Sequence, residues 1–179
     1  MSTMLLSRLS YVESCQFLQQ IYLLDEGAIP PLPAQSPRYD DVTLAVSFFR
    51  TLLDDVKLEN LTLPRTFFGR SEIRQVSFKN TDLSESVACG NDFIEVDFEL
   101  ADLSGTDLRA SIFQHVNFQG ADLTKADMRG PDFRSCNFKD ANLTGTKLLI
   151  EPRWLFLLTS SQIDSVDWHY SRGPDPGGI

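Results

Sequence analysis

Two histidines and three cysteines, spread over 179 residues, are the side chains best suited to metal binding or nucleophilic chemistry in this chain. His115 and His169 stand alone, with no neighbouring Cys, His or carboxylate at the spacing of a tetrahedral metal site. Cys15, Cys89 and Cys136 are odd in number and far apart, which gives no disulfide framework and points to a reducing cytoplasm. No glycine-rich phosphate loop or nucleophile elbow occurs. These residues predict no enzyme, no cofactor and no metal site. The carboxylates are more orderly: Asp82, Asp102, Asp122 and, as an amide, Asn142 follow one another at intervals of twenty. An oxygen-rich column can bind calcium, but the glycine-rich nonapeptide of calcium-binding rolls is missing. The plainer reading is that each Asp or Asn accepts backbone hydrogen bonds in a turn.

What positions those residues is a period of five. Every fifth residue from Leu58 to Leu148 is Leu, Phe, Ile or Met at eighteen of nineteen steps, Ala88 being the exception. Two residues earlier stands a small side chain, as in Ala101-Asp102-Leu103, Thr106-Asp107-Leu108, Val116-Asn117-Phe118, Ala121-Asp122-Leu123, Ala126-Asp127-Met128 and Cys136-Asn137-Phe138. A period of five is neither helical nor that of a strand, and it calls for a repeat architecture.

In these words the sequence resembles the pentapeptide-repeat family, whose unit reads roughly A-(D/N)-(L/F)-x-x. The resemblance covers about half the chain, without an insertion. It implies a right-handed, four-sided β-helix, with one word per side and twenty residues per coil. Residues twenty apart then stack at roughly 4.8 Å, making about 4–5 coils over residues 56–150. The walls read Leu63, Leu83, Leu103, Leu123, Leu143; Leu58, Phe78, Phe98, Phe118, Phe138; Ile73, Phe93, Phe113, Phe133; and Phe68, Ala88, Leu108, Met128, Leu148. The core is accordingly expected at Phe98, Leu103, Leu108, Phe113, Phe118, Leu123, Met128, Phe133, Phe138 and Leu143. Around Ala88 a local distortion is expected, with Val87 turning inward.

The flanks read differently. Ser10-Tyr11-Val12-Glu13 has capping-box form and predicts a helix over 10–26, stopped at Gly27. A proline-rich linker follows over 28–39, and a second helix is predicted over 41–55, covering the first coil. Residues 1–55 thus form a helical segment. After Ile150 the repeat breaks at Arg153, and Thr159-Ser160-Ser161-Gln162 predicts a short helix in a cap spanning 151–170. Trp154, Leu155, Phe156, Leu157 and Leu158 plug the last coil or, as the resemblance implies, form a homodimer surface. The tail 171–179 is expected to be disordered.

Since the inward positions belong to the core, function falls to the outer residues. Arg109 and Arg129, with Arg74 and Arg134 on the neighbouring wall, make a basic patch, and Ile94 and Ile112 are exposed apolar residues near them. Together they suggest contact with a protein partner. The formal charge of −9 argues against direct nucleic-acid binding or an anionic membrane surface, and no apolar run is long enough to cross a bilayer. The reading that follows is a cytoplasmic, non-enzymatic protein-interaction module, such as an adaptor or immunity protein. One alternative, which the resemblance implies, is a DNA mimic that binds DNA gyrase or another topoisomerase. Against it, residues 56–150 hold fourteen acids and eleven bases, a net of only −3. The other is a spacer whose amino-terminal helices do the binding.

Overall fold

The computed structural model describes residues 7–37 and 46–170. Its scaffold is a parallel β-solenoid, in which strand or bridge partners are always twenty residues apart. One line of partners runs Ser47, Phe67, Val87, Asp107, Asp127, Lys147, Asp167, six steps of twenty. There are therefore six coils rather than the four to five expected, about 29 Å of rod at strand spacing. The named strands lie on two walls. β1 (Leu52–Asp54), β2 (Glu72–Arg74), β3 (Asp92–Ile94), β4 (Ile112–Gln114) and β6 (Asp132–Arg134) form a five-stranded sheet on the Phe113 wall. β5 (Asp127–Met128), β7 (Lys147–Leu149) and β8 (Asp167–His169) form a three-stranded sheet on the Leu108 wall.

The core follows from the period. The large residues of all four walls point inward and are buried, including Phe98, Leu103, Leu108, Phe113, Phe118, Leu123, Met128, Phe133, Phe138 and Leu143. Identical side chains stack one coil apart, with Phe93, Phe113 and Phe133 at centroid spacings of 5.1 Å and nearly parallel. Phe98, Phe118 and Phe138 do the same at 5.5 and 4.9 Å. The two aromatic walls meet edge-on, as Phe113 and Phe118 do at 65°.

The small inward residues form a second, polar ladder. Thr81 Oγ1 donates to the Leu58 carbonyl at 2.6 Å, Thr106 to Leu83 at 3.0 Å, Ser111 to Ala88 at 3.0 Å and Thr146 to Leu123 at 2.7 Å, each twenty-three residues back. Asn91 Nδ2 makes the same bond to Phe68. These buried hydroxyls and amides are satisfied by main chain, so they cost little to bury.

Each coil turns four corners. From Arg50 to Gly145 every fifth residue has φ between +49° and +79°, and fifteen of these twenty are not glycine. Such left-handed geometry costs a residue with a Cβ roughly 1–2 kcal/mol. It is held because the corner amide joins the ladder, as Leu100 N–H does to Gln119 O at 3.0 Å, and a turn bond such as Ala101 N–H to Phe98 O closes the corner.

Three expectations are corrected. First, α1 spans Tyr11–Gln20 rather than 10–26. The Ser10 and Glu13 capping box forms, but the helix ends in a Schellman arrangement with Tyr22 at φ +60°, Leu23 N–H donating to Leu18 O and Tyr22 N–H to Gln19 O. Second, no helix runs over the described part of 41–55. Residues 41–45 lie outside the described residues, and 46–55 are already solenoid, with Phe48 and Leu53 buried on the period and Arg50 and Asp55 left-handed at corners. It is α1 that covers the first coil. Ser14 Oγ accepts from Thr62 N–H at 2.8 Å, the place that Leu61 O takes for Asp82 one coil later. Third, the chain stays in register at Ala88, which is buried, while Val87 pairs with Phe67 and Asp107 on the outside. The missing side-chain volume remains as a gap of about 10 Å³ beside Phe68 and Leu108. The tail 171–179 lies outside the described residues.

At the far end the period continues. Leu158, Ile163 and Trp168 follow Leu148 in register, and only Arg153 departs from it. Trp154 takes that inward place, edge-on to Phe133 at 5.1 Å. This last coil carries α2 (Trp154–Leu157) and α3 (Ser160–Ser165), the latter opened by a Thr159 and Gln162 capping box. Gln162 also closes the solenoid: its Nε2 donates to Phe138 O at 2.8 Å and Ala141 O at 3.0 Å.

Two predictions follow from this accounting. Gln162→Leu strands the buried Ala141 carbonyl and removes one of the two bonds to Phe138 O, and it lowers stability by about 1–3 kcal/mol, read as a fall in the urea midpoint. Ala110→Gly relieves a left-handed corner and raises stability by about 0.5–1 kcal/mol, whereas Ala101→Gly, at a buried position without positive φ, lowers it by about 1 kcal/mol.

Candidate functional site

Three residues of each word face outward. The first is the Asp or Asn column, and it serves the turns. Asp82 Oδ1 accepts from Ser84 N–H at 2.9 Å, Asp102 from Ser104 at 3.0 Å, Asp122 from Thr124 at 2.9 Å and Asn142 from Thr144 at 3.2 Å. Amide members bridge coils, with Asn117 Nδ2 reaching Asp97 and Asn137 Nδ2 reaching Asn117 at 2.9 Å.

The four candidate arginines are not free cations. Arg109 forks onto Asp107 at 2.9 and 2.7 Å, Arg129 onto Asp127 at 2.8 and 2.7 Å, and Arg134 binds Asp132 at 2.8 Å. Arg74 pairs with Glu72. Each pair joins residues two apart in one word, where side chains project from the same side of a strand. Burial works to raise the Asp127 carboxyl, but the bonds and charge of Arg129, with Arg109 nearby, outweigh it and hold the group below the usual carboxylate range. What reads in sequence as a basic patch is a charge-neutral lattice.

The structure divides the candidates between two walls. Arg74, Ile94, Ile112 and Arg134 lie on the five-stranded sheet, whereas Arg109 and Arg129 lie on the adjoining Leu108 wall. On the sheet, Asp92 pairs with Ile112 and Ile94 with Gln114, so the two isoleucines are diagonal neighbours on successive coils. Ile112 is 37% exposed, and Leu52 is exposed on the same face. Arg74–Glu72 on one side and Arg134–Asp132 on the other border this apolar centre.

The remaining cysteines and histidines offer little chemistry. Burial pushes the thiols of Cys15, Cys89 and Cys136 up, which removes the thiolate a nucleophile needs. His115 sits at a left-handed corner, and His169 Nε2 lies 3.3 Å from Asp167. Among the described residues no group of three or more His, Cys, Asp or Glu is placed to hold a metal ion, and no helix is long and apolar enough to cross a membrane.

The segment expected to plug or dimerise is split in two. Trp154 and Leu158 are buried as core, while Leu155 is 69% and Phe156 88% exposed. Leu155 lines an apolar groove of about 410 Å³ with Ile150, Pro152, Trp154, Ile163 and Trp168. Sequence reasoning missed this groove, and the signal for it was the unbroken spacing from Leu158 to Trp168.

A family model described as pentapeptide repeats matches in eight copies, over residues 71–109, 92–130 and 111–148. Among solved structures the chain is similar to the pentapeptide repeat protein Rfr23 from the cyanobacterium Cyanothece 51142, 15% identical, covering 54% of this chain and 83% of that one, TM-score 0.46. It is also similar to a pentapeptide repeat protein from the Arabidopsis thaliana thylakoid lumen, 28% identical over 72% and 79% of the two chains, TM-score 0.35. A third is a trypsin-treated variant of QnrB1, a plasmid-mediated fluoroquinolone resistance protein, 14% identical over 70% and 78%, TM-score 0.36. No curated protein sequence matches the chain. With a five-residue register unbroken along the solenoid and eight copies of the repeat matched, this chain is a pentapeptide-repeat protein.

Proposed function

We propose that the chain is a non-enzymatic protein-interaction module, an adaptor or immunity protein of the cytoplasm, and that its partner-facing surface is the five-stranded sheet. One observation carries this reading: Ile94 and Ile112 are diagonal neighbours at the centre of that sheet, bordered by self-paired Arg74 and Arg134. Apolar residues flanked by two self-paired arginines, with Asp92 and Gln114 on the other diagonal of the same face, have the mixed composition of an interface, where the apolar contacts supply affinity and the charges supply register. A rigid wall suits this, because little conformational entropy is lost when it binds.

The alternatives have less behind them. A DNA mimic needs uncompensated carboxylates, yet Asp107, Asp127 and Asp132 are each held by an arginine and Asp97 by Lys79. Only Asp82, Asp102 and Asp122 form a row without a cation among the described residues. The spacer reading asks α1 to bind a partner, yet α1 buries Cys15 and Leu18 against the solenoid and caps Thr62 with Ser14.

The test is a pull-down from the native host followed by titration of the recovered protein. The double variant Ile94→Asp, Ile112→Asp is expected to weaken binding at least about tenfold with an unchanged melting temperature. Arg109→Glu with Arg129→Glu, on the next wall, is expected to change it less than about threefold. The opposite ranking would move the contact to the Leu108 wall.

A further inference from the structure

The two ends of the solenoid are closed unequally. At the first coil the Thr62 amide is met by Ser14 Oγ. At the last, Gln162 Nε2 meets the carbonyls of Phe138 and Ala141, which a further coil would otherwise serve. Among the described residues the Leu108 wall receives no such cap. Its sheet runs β5, β7, β8 and stops, so β8 is an edge strand. Asp167 and His169 turn their main-chain groups toward β7, Asp167 N–H donating to Thr146 O at 2.9 Å and His169 O accepting from Ile150 N–H at 2.9 Å. Strand alternation then aims the N–H and C=O of Trp168 away from the solenoid along its axis. Neither has a partner among the described residues.

The apolar groove adjoins this open edge, with Trp168 common to both. Its two indole N–H groups are already used, Trp154 on Leu149 O and Trp168 on Ile163 O, each at 3.0 Å. The groove itself therefore offers almost wholly apolar surface, Glu151 being its one charged lining residue, and main-chain recognition is left to the strand edge. The surrounding charge is acidic: Asp164 and Asp167 lie in or next to the elements that form the rim, while Glu151 and Arg153 pair with each other.

We propose that this end face takes an extended, lysine- or arginine-bearing segment of a protein partner as an added β-strand, with an apolar side chain seated in the groove. A docked helix would fill the groove but leave the Trp168 main-chain groups unmet. A strand satisfies both, and its cationic residues match the acidic rim and the overall charge of −9. The inference rests on the interaction-module reading but uses a different face, so the two can fail separately.

The test uses the full chain and short fluorescein-labelled peptides, followed by polarisation at low salt. A peptide alternating lysine and valine is expected to bind. The same peptide N-methylated at alternate amides, and a glutamate–valine version, are each expected to bind at least about tenfold more weakly. Ile150→Glu and Leu155→Glu, both at exposed positions, should each weaken the lysine peptide at least about tenfold, while Ile94→Asp with Ile112→Asp leaves it unchanged. Equal binding of the N-methylated peptide overturns strand addition, and equal binding of the glutamate peptide overturns charge selection. Absence of binding by the lysine peptide, or a doubled solution mass that Ile150→Glu abolishes, overturns the proposal, the latter in favour of a second copy of this chain.

Discussion

The hydrogen-bond ladder parallel to the rod axis is the interaction on which everything else here depends. It fixes the offset between coils at twenty residues, and that offset decides which side chains stack, which face out and where each corner falls. Without it the left-handed corners would be untenable, since one local turn bond does little more than offset the cost of a non-glycine residue at φ near +55°. Corner and ladder depend on each other: the sharp turn brings the next word into register, and the register keeps the turn from relaxing. The small inward position completes the arrangement. Its side chain lies close to the main chain of the coil beneath, so Ala fits by size and Ser, Thr or Asn fits by donating to a carbonyl there.

Much of this architecture was legible because the repeat writes each role at a fixed place in the word. Four walls could be assigned once the resemblance set four words to the coil, and the Asp column could be assigned to turns because Asp and Asn accept local amides readily. The failures have physical causes as well. The α1 terminus was sought at Gly27, but Tyr22 takes the left-handed residue of the Schellman motif, and nothing in a tyrosine announces that. The stretch Phe48-Phe49-Arg50-Thr51-Leu52-Leu53 satisfies a helical stripe and the period of five equally well. What decided between them was the chance to add Phe48 to the stack beneath Phe68, at 5.2 Å between rings, a gain invisible in a local window. The last coil was hidden by one substitution, Arg153, whose inward place is filled by the neighbouring Trp154.

The candidate site was less legible than the fold. Arg109 and Arg129 looked like a basic patch because twenty-residue spacing stacks them, and the same spacing stacks Asp107 and Asp127. Spacing by two along a strand then pairs each arginine with the carboxylate of its own word. Charge counted by column misleads when opposite charges share a word. Ile94 and Ile112, by contrast, come from different columns and become neighbours only through the diagonal of the sheet.

These commitments narrow where recognition can reside. Inward residues are core, the Asp and Asn oxygens of the repeat column are turn acceptors, and Arg74, Arg109, Arg129 and Arg134 are satisfied by their own words. Breaking such an exposed pair to engage a partner returns little, because surface ion pairs are worth at most about 1 kcal/mol and the carboxylate left behind must be resolvated. Affinity must therefore come from surface that is still wet and unpaired in the free protein. Among the described residues, two places that meet that condition with ordered structure around them are the apolar diagonal of the five-stranded sheet and the edge of β8 beside its groove. They differ in kind. The first is a flat side chain surface, on which a partner can settle in several registers until its charges choose one. The second adds main-chain groups that accept only an extended chain, so it selects the partner's conformation before its side chains are read.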